Sequence, residues 1–492
     1  MLFHRAGPAL QCRLDGVQRR GRALTLRLPH GSVRTPMFMP VGTQGALKGL
    51  TYLQMGVSPI KCHILLGNTY HLGNRPGGRV FSRAAPSSDA GGVHGFANWG
   101  GTLLTDSGGF QMVSLLQLAS VTEQGVLFQH PTTGTRMMLT PEESVHLQHM
   151  IKSDIIMALD DVVSSTRNNT GRFRVACLRT LRWIDRCVAA HRKGGAHSTK
   201  SGPAFQNLFG ILQGGLDVAP LGMREHCLAE MLKRDPALPG YAIGGLAGGE
   251  SKGDFWRVVE FSTRRGHVGT RMGLPDAKPR YLMGVGYPID IIVCSALGVD
   301  LFDSVFPTRT ARFGSAFVFD KRMAICAVGD CFIKLRHGDA AIHLGAVDET
   351  CACIACCAGS RYYTRGYVNQ MLARKVPAAC QLMTHHNVTF MQRLVGNIRR
   401  AICDANARTF GVYFIREHFP TFVVTRKNAD SGHRHNPASR KRKGVSRKAI
   451  LNPGLLGRRK KKMRMEKALL PPPTSCPPWL GRALRSAGAS HT

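Results

Sequence analysis

The sequence lacks the long apolar runs that a membrane-spanning helix requires. Hydrophobic residues make up 43% of the 492 residues, but they occur in short, interrupted runs, whereas a spanning helix needs roughly 20 consecutive apolar residues. No apolar block follows the opening Met1-Leu2-Phe3-His4-Arg5, so we expect no secretory signal peptide. We therefore expect no membrane insertion, and a chain long enough for one large domain with additions.

Acidic residues are scarce. The chain has 30 Asp and Glu against 66 Lys and Arg, which gives a net charge of +36. Such an excess indicates a polyanionic partner. Nucleic acid fits better than anionic lipid, because no basic amphipathic helix is flanked by anchoring apolar residues.

Part of the positive charge lies in the last segment, residues 425–492. Basic runs such as Arg440–Lys443, followed by Pro471-Pro472-Pro473, are typical of a disordered tail. The tail is either a nuclear-import or RNA-binding segment or a solvated extension without a specific role. The preceding residues 1–424 are predicted to form the folded domain.

The 15 cysteines are mostly isolated, so we expect no disulfide framework. This usage favours a reducing compartment, so we expect a cytoplasmic protein, with the nucleus as the alternative that the tail suggests. One cluster differs: Cys351, Cys353 and Cys356 lie within six residues, and His385 and His386 follow later. Zinc prefers four tetrahedral ligands, and a closed Cys₃His set is structural. We predict one structural Zn²⁺ held by these three cysteines and His386, with His385 and Cys357 as competing ligands.

Apolar strand-like runs alternate with helix-like segments along the domain. This order favours parallel βα units, and eight runs indicate a closed α/β fold, the (β/α)₈ TIM barrel, with an open doubly wound sheet as the alternative. A helix-like stretch at Thr389–Asn406 would supply the last barrel helix, which makes the cysteine region a zinc-binding insert over about 325–400. The eight runs are Met37–Val41, His63–Leu66, Leu103–Thr105, Ile155–Leu159, Leu208–Leu212, Tyr241–Ile243, Tyr281–Val285 and Leu301–Phe306.

Polar residues and glycines follow these runs at their carboxyl ends. Asp106, Asp160 and Gln213 each follow a run directly, and Asp303 lies within the last one, which is predicted to end at Pro307 because proline cannot donate to a sheet ladder. Barrel enzymes place their chemistry at this rim. The convergence of three carboxylates and an amide predicts an active site there.

Several of these segments together resemble a known family, the tRNA-guanine transglycosylases, also called queuine tRNA-ribosyltransferases. The resemblance covers about residues 20–420 and is closest to the eukaryotic catalytic subunit. The segments that carry it are Asn68–Leu72, Thr105–Gln111, Asp160–Ser165, Gly210–Gly214, Gly244–Leu246, Gly248–Ser251, Leu301–Arg309 and the cysteine cluster.

The resemblance implies that the protein exchanges guanine at the wobble position of tRNAs with a GUN anticodon for queuine, without cutting the backbone. Asp303 would be the nucleophile, which forms a covalent ribosyl intermediate, and Asp106 the general acid and base. The residues expected to bind the base are Asp106, Ser107, Gly108, Gly109, Phe110, Asp160, Gln213, Gly245 and Met283. The residues expected to hold the anticodon loop are Gly284, Val285, Gly286, Tyr287, Pro288, Ile289, Asp290, Thr308, Arg309, Thr310, Ala311 and Arg312.

Two further expectations concern the assembly and the base. The family works as a dimer, so we expect a heterodimer with a non-catalytic paralogous subunit; the alternative is that this chain is itself that tRNA-binding subunit. The glycines at 244, 245, 248 and 249, with Val162, are expected to leave space for the larger base, queuine. Ser304 stands where the family usually has Cys.

Overall fold

The structure is a computed structural model, and it describes residues 2–83, 91–109, 119–129, 134–167, 169–196, 206–265, 273–319, 332–356 and 362–404. Phe110, Cys357 and the whole of the predicted tail lie outside the described residues. The predicted limits of the domain and of the zinc-binding insert stay predictions.

The strands are numbered here in chain order. They are β1 (His4–Gly7), β2 (Leu10–Gln18), β3 (Gly21–Leu28), β4 (Gly31–Arg34), β5 (Met37–Gly42), β6 (Ile64–Asn68), β7 (Thr102–Asp106), β8 (Ser120–Val121), β9 (Val126–Gln129), β10 (Arg136–Leu139), β11 (Ile155–Met157), β12 (Asn207–Leu212), β13 (Tyr241–Ile243), β14 (Arg280–Leu282), β15 (Leu301–Ser304), β16 (Ser315–Phe317) and β17 (Phe332–Lys334).

The α-helices are numbered in the same way, and short 3₁₀ or π segments occur at Gly73–Gly77, Asp235–Ala237 and Gly338–Ile342. The helices are α1 (Tyr52–Gly56), α2 (Thr69–Leu72), α3 (Gly78–Arg83), α4 (Gly92–Ala97), α5 (Pro141–Ile151), α6 (Thr170–Ala196), α7 (Met223–Leu232), α8 (Lys252–Thr263), α9 (Pro288–Ala296), α10 (Phe306–Arg312), α11 (Arg365–Ala373) and α12 (Pro377–Cys403).

Eight parallel strands close into a barrel in the order β11-β12-β13-β14-β15-β5-β6-β7. The ring is complete because β15 pairs with β5, with Leu301 opposite Met37, and β7 pairs with β11. Every residue of β6, β7 and β12 is buried, as expected of strands covered on both faces. Each predicted run overlaps one barrel strand, so the closed barrel is confirmed and the open sheet is excluded.

The last predicted run is only partly a strand. Strand β15 ends at Ser304, and α10 begins at Phe306 with Pro307 in its first turn. Proline is favoured there because the first helical N–H groups have no partner within the helix. Pro307 therefore opens a helix rather than ending a strand.

Additional elements cover the barrel. Strands β1–β4 form an antiparallel sheet, β8–β10 a three-stranded one, and β16 pairs with β17. The cysteine cluster is part of a second hydrophobic core, which also includes Leu335, Val347 and Leu372. Helix α12 includes the predicted Thr389–Cys403 portion, begins beside that core and packs against β5 of the barrel. Within the described ranges, each helix is too short or too polar to cross a bilayer.

Candidate functional site

Asp106 is the last residue of β7 and is buried. Its carboxylate accepts hydrogen bonds from Asn68 Nδ2 at 2.6 Å, from the Thr69 N–H at 3.1 Å and from the Gly108 N–H at 3.1 Å. Burial raises the pKa of Asp106 to about 7, these hydrogen bonds act against that shift, and the nearby charge of Asp303 adds to it. A carboxyl group with a pKa near neutrality can both give and take a proton.

Asp303 lies one residue before the end of β15, also at the carboxyl rim. Its Oδ1 atom accepts two short hydrogen bonds, from the Tyr281 hydroxyl and from the Gly284 N–H, both at 2.6 Å. Burial raises the pKa of Asp303, and the two hydrogen bonds oppose the rise. Among the described residues, no donor reaches Oδ2, so the second oxygen keeps its lone pairs for another partner.

The two carboxylates belong to one site. Asp303 raises the pKa of Asp106 through its charge, and Asp106 in turn raises that of the Tyr281 hydroxyl that bonds Asp303. Two strands, β5 and β6, separate β15 from β7 in the barrel order. The structure thus brings together the acid/base and the nucleophile that the sequence predicts.

Asp160, Gln213 and Gly245 form a second group at the same rim. Gln213 Nε2 donates to Asp160 Oδ2 at 2.7 Å. Burial raises the pKa of Asp160 to about 7, and this hydrogen bond acts against the rise. Gly245 has φ +71°, and a Cβ atom there would lie 2.6 Å from Gln213 Oε1. Glycine is therefore required by the backbone conformation and by the closeness of the amide. These three residues meet as predicted.

The expectation that the other glycines leave space for a larger base stays a prediction, but at two of them neighbouring protein atoms lie where a side chain would be. A Cβ atom on Gly244 would lie 2.8 Å from Gln213 Nε2, and one on Gly248 would lie 2.6 Å from Ser165 Oγ. The volume that these glycines free is occupied by neighbouring side chains, because the loops pack closely against each other.

The structure describes all but one of the remaining residues that are predicted to bind the base. Ser107, Gly108 and Gly109 are buried directly after β7, and the Ser107 carbonyl accepts from Ser144 Oγ at 2.8 Å. Met283 follows β14 and packs, half-buried, against the main core. The predicted aromatic partner, Phe110, lies outside the described residues.

The segments predicted to hold the anticodon loop contain exposed and buried residues. Tyr287 and Arg309 are exposed, and the Tyr287 ring packs on Phe306 with ring centres 4.3 Å apart. Asp290 is buried and paired with Lys252, so its side chain holds α9 in place rather than facing a ligand. The other buried side chains of these segments are Val285, Pro288, Ile289, Thr308 and Ala311.

The predicted zinc ligands lie together. One ligand atom from each of Cys351, Cys353, Cys356 and His386 lies within 4.8 Å of the others, and all four residues are buried. His386 Nδ1 faces Cys356 Sγ at 3.1 Å, while its Nε2 contacts the Phe317 carbonyl at 2.6 Å. A carbonyl acceptor on the far nitrogen leaves Nδ1 unprotonated, as a metal ligand requires. This buried set could hold a metal ion, and its chemistry fits zinc.

Sequence reasoning did not assign a role to Tyr281 or Asn68, the side-chain partners of the two carboxylates. Asn68 belongs to a motif that carries the family resemblance, and its position at the end of β6, beside Asp106, is fixed by strand pairing. Tyr281 occupies an apolar run, where a tyrosine is usually a core residue. Only the register of β14 with β15, which places Tyr281 opposite Leu301, reveals its contact with Asp303.

Comparison with known proteins gives a consistent result. A family model described as "Queuine tRNA-ribosyltransferase" matches residues 15–420. The "Queuine tRNA-ribosyltransferase catalytic subunit" of Schizosaccharomyces pombe is 44% identical over 82% of this chain and 87% of the relative. The protein of the same name from Caenorhabditis briggsae is 42% identical over 82% and 89%. The "Queuine tRNA-ribosyltransferase" of Nitrosospira multiformis is 41% identical over 82% and 97%.

Proposed function

Since this chain belongs to the queuine tRNA-ribosyltransferase family, a family of pentosyltransferases, we propose that it exchanges guanine at the wobble position of tRNAs with a GUN anticodon for queuine. The observation that carries the proposal is the presence of two buried carboxylates, Asp106 and Asp303, at the carboxyl rim of the barrel. Exchange of one base for another on the same face of the sugar needs a nucleophile that holds the sugar between the two bases and a second group that handles the proton of the base.

Asp303 acts as that nucleophile. One base replaces another on the same face of the ribose, which requires two inversions and therefore a covalent intermediate. Oδ2 of Asp303 attacks the anomeric carbon as the bond to guanine breaks. Tyr281 and Gly284 donate only to Oδ1, so they stabilise the ionised form without covering the attacking oxygen.

Asp106 carries the proton. A purine leaves poorly as an anion, so protonated Asp106 donates to a ring nitrogen of guanine as the glycosidic bond breaks. The incoming base returns a proton to the Asp106 carboxylate and attacks the anomeric carbon as the ribosyl–Asp303 bond breaks, which releases the Asp303 carboxylate. A pKa raised to about 7 keeps both forms of Asp106 populated near neutral pH.

Asp160, Gln213 and the Gly245 N–H read the purine edge. Guanine and its analogue present donors at N1 and N2 and an acceptor at O6, and this arrangement of carboxylate, amide and backbone N–H complements that pattern. Phe110 and Met283 would stack on the two faces of the ring, a contact typically worth about 1–3 kcal/mol per base.

The tRNA would be held by the exposed part of the segments 284–290 and 308–312, where Tyr287 and Arg309 face the solvent. Their role is to contact the anticodon loop, with the overall positive charge attracting the phosphates. The Cys₃His set would hold Zn²⁺, whose contribution is structural because a closed set of four protein ligands leaves no position for water.

We also propose that the working enzyme is a heterodimer with a non-catalytic paralogous subunit. The resemblance to the eukaryotic catalytic subunit supports this assembly, as do the names of the relatives from S. pombe and C. briggsae. Light scattering combined with an activity assay tests it: full activity of the purified chain as a monomer would contradict the heterodimer.

The alternative function, a tRNA-binding subunit without catalysis, is less well supported. Such a subunit has no need of buried carboxylates, because burying them costs free energy unless they are paired or used. This chain keeps Asp106, Asp160 and Asp303 together at the rim.

The test is a base-exchange assay with labelled guanine and tRNA, using the full chain alone and with its co-expressed partner. Asp303→Asn is expected to abolish incorporation and the covalent RNA adduct on a denaturing gel, whereas Asp106→Asn is expected to slow both steps. Asp339→Asn, at a side chain that is 75% exposed, is the control. Normal turnover by Asp303→Asn would refute the covalent mechanism.

A further inference from the structure

Arg224 lies beneath the residues that are proposed to read the base, and it is fully buried. It is the second residue of α7, and its side chain has no solvent exposure. The guanidinium group donates to three backbone carbonyls: Nε and Nη2 to Gly215 at 3.2 and 2.6 Å, Nη1 to Leu212 at 3.2 Å, and Nη1 and Nη2 to Gly244 at 3.1 and 3.2 Å. All of its hydrogen-bonding groups are therefore directed at the ends of two neighbouring strands, β12 and β13.

Two of these carbonyls belong to the peptide units of residues that are proposed to read the base. The Gly244 carbonyl and the Gly245 N–H belong to the same planar peptide unit. Two guanidinium donors on that carbonyl therefore fix the direction in which the Gly245 N–H points. They also polarise the peptide, which strengthens its N–H as a donor.

The Leu212 carbonyl shares a peptide unit with the Gln213 N–H in the same way. That N–H donates to Cys227 Sγ at 3.4 Å, while the carbonyl accepts from Arg224 and from the Gly244 N–H at 3.0 Å. The backbone of Gln213 is thus held on both sides, and its amide is left to bond Asp160.

The charge of Arg224 is not compensated in the usual way. Among the described residues, no carboxylate lies within ion-pair distance of its guanidinium. Burial lowers the pKa of Arg224 only to about 10, so the group stays charged at neutral pH. A buried cation without a counter-ion costs free energy, and a neutral side chain could fill the same space. The N–H donors of the Arg224 guanidinium therefore have a role besides packing.

We propose that Arg224 is a positioning residue for base selection, which sets the Gly245 N–H and the Gln213 amide for the purine edge by clamping the Gly244 and Leu212 carbonyls. The proposal rests on the function proposed above. It predicts a defect in handling the free base and not in holding the tRNA, because the segments assigned to the anticodon loop follow β14 and β15 and make no hydrogen bond to Arg224.

The test uses Arg224→Met, which removes every donor, and Arg224→Lys, which keeps the charge without the fork. A misplacement of about 1 Å at a reacting group can cost on the order of 100-fold in rate, so we expect kcat/KM for labelled guanine to fall about 10- to 100-fold in Arg224→Met and less in Arg224→Lys. The affinity for tRNA should be unchanged.

Arg280→Lys is the matched control. Arg280 is buried as well and donates to the Leu274 and Gly298 carbonyls, but it opens β14 at the opposite end of the barrel. The control should lower the melting temperature and leave kcat/KM for guanine unchanged. Melting curves and zinc content of all variants establish that the compared proteins are folded.

A double-mutant cycle with Gln213→Ala completes the test. If Arg224 acts through the base-reading residues, the loss in the double variant should be clearly smaller than the sum of the two single losses in free energy. Four results would overturn the proposal. The first two are a wild-type kcat/KM in Arg224→Met and full additivity of the two free-energy losses in the double variant. The other two are a loss of kcat/KM in Arg224→Met no greater than that in Arg280→Lys, and failure of both Arg224 variants to fold. Absence of guanine incorporation by the wild type would instead refute the proposed function itself.

Discussion

Replacement of Tyr281 by phenylalanine tests the proposed nucleophile without removing it. The Tyr281 hydroxyl donates to Asp303 Oδ1 at 2.6 Å, one of two hydrogen bonds that hold the pKa of this buried carboxyl below the value that burial alone would give. A hydrogen bond to a charged group contributes about 1.5–3 kcal/mol, and 1.36 kcal/mol corresponds to one pKa unit. Tyr281→Phe should therefore raise the pKa of Asp303 further, because the ionised form loses about 1.5–3 kcal/mol of stabilisation.

The sign of the effect on turnover follows from the role of the group. Attack requires the ionised form of Asp303, so a higher pKa moves the acidic limb of the kcat/KM profile to higher pH. The same hydrogen bond stabilises the carboxylate when it departs from the sugar, so its loss should also slow the second half of the exchange. More of the enzyme should then be trapped as the covalent RNA adduct at steady state.

The assay is guanine exchange across a pH series, with the adduct measured on denaturing gels. Tyr241→Phe is the matched control, because Tyr241 is equally buried and donates to Asp235 at 2.5 Å, but opens β13 at the other end of the barrel. If the acidic limb of Tyr281→Phe coincided with those of the control and the wild type, Asp303 would not be the group that must ionise.

Two further predictions concern stability. Asp160→Asn should abolish base exchange, and as pH rises it should make the fold more stable than that of the wild type. Burial raises the pKa of the Asp160 carboxyl to about 7, so the wild type loses free energy of unfolding between the unfolded pKa near 4 and the folded pKa. The gain should reach on the order of 2–4 kcal/mol above pH 7 and vanish below pH 4 in denaturant titrations; a gain independent of pH would contradict this reasoning. Cys353→Ser should reduce bound zinc and lower the melting temperature, whereas Cys380→Ser, at a half-buried free thiol of α12, should do neither. Equal zinc content in the two variants would exclude Cys353 as a ligand.

The barrel was predictable from the sequence because fully buried parallel strands leave a clear pattern. Runs such as Leu208–Leu212 are apolar on both faces and are followed by Gln-Gly-Gly, so strand and rim are both visible. The same pattern placed Asp106, Asp160 and Asp303 at one rim, and the structure places them there. The wrong prediction at Pro307 has the same origin, since proline ends a strand and opens a helix equally well.

Side-chain direction could not be predicted, because it depends on contacts between distant segments. Arg224 stands in an ordinary amphipathic helix, and its sequence context resembles that of a solvent-exposed arginine. Only the close approach of α7 to the ends of β12 and β13 turns the side chain inward. The glycines at 244 and 248 show the converse: sequence reasoning assigned their missing side chains to the ligand, whereas neighbouring protein atoms fill the space.

The candidate metal ligands could be predicted from spacing, but their connection to the strand of Asp303 could not. In α12, His386 is followed by Asn387, whose amide donates to the Pro307 and Ser315 carbonyls, each at 3.0 Å. Further along, Gln392 Nε2 donates to the Phe38 carbonyl of β5 at 3.0 Å. Strand β5 pairs with β15 beside Asp303, and Pro307 lies in the helix that follows it. A metal bound to His386 would therefore fix the helix that contacts β5, beside the strand of Asp303, and the start of the helix that follows that strand, which connects the proposed metal site to the proposed nucleophile.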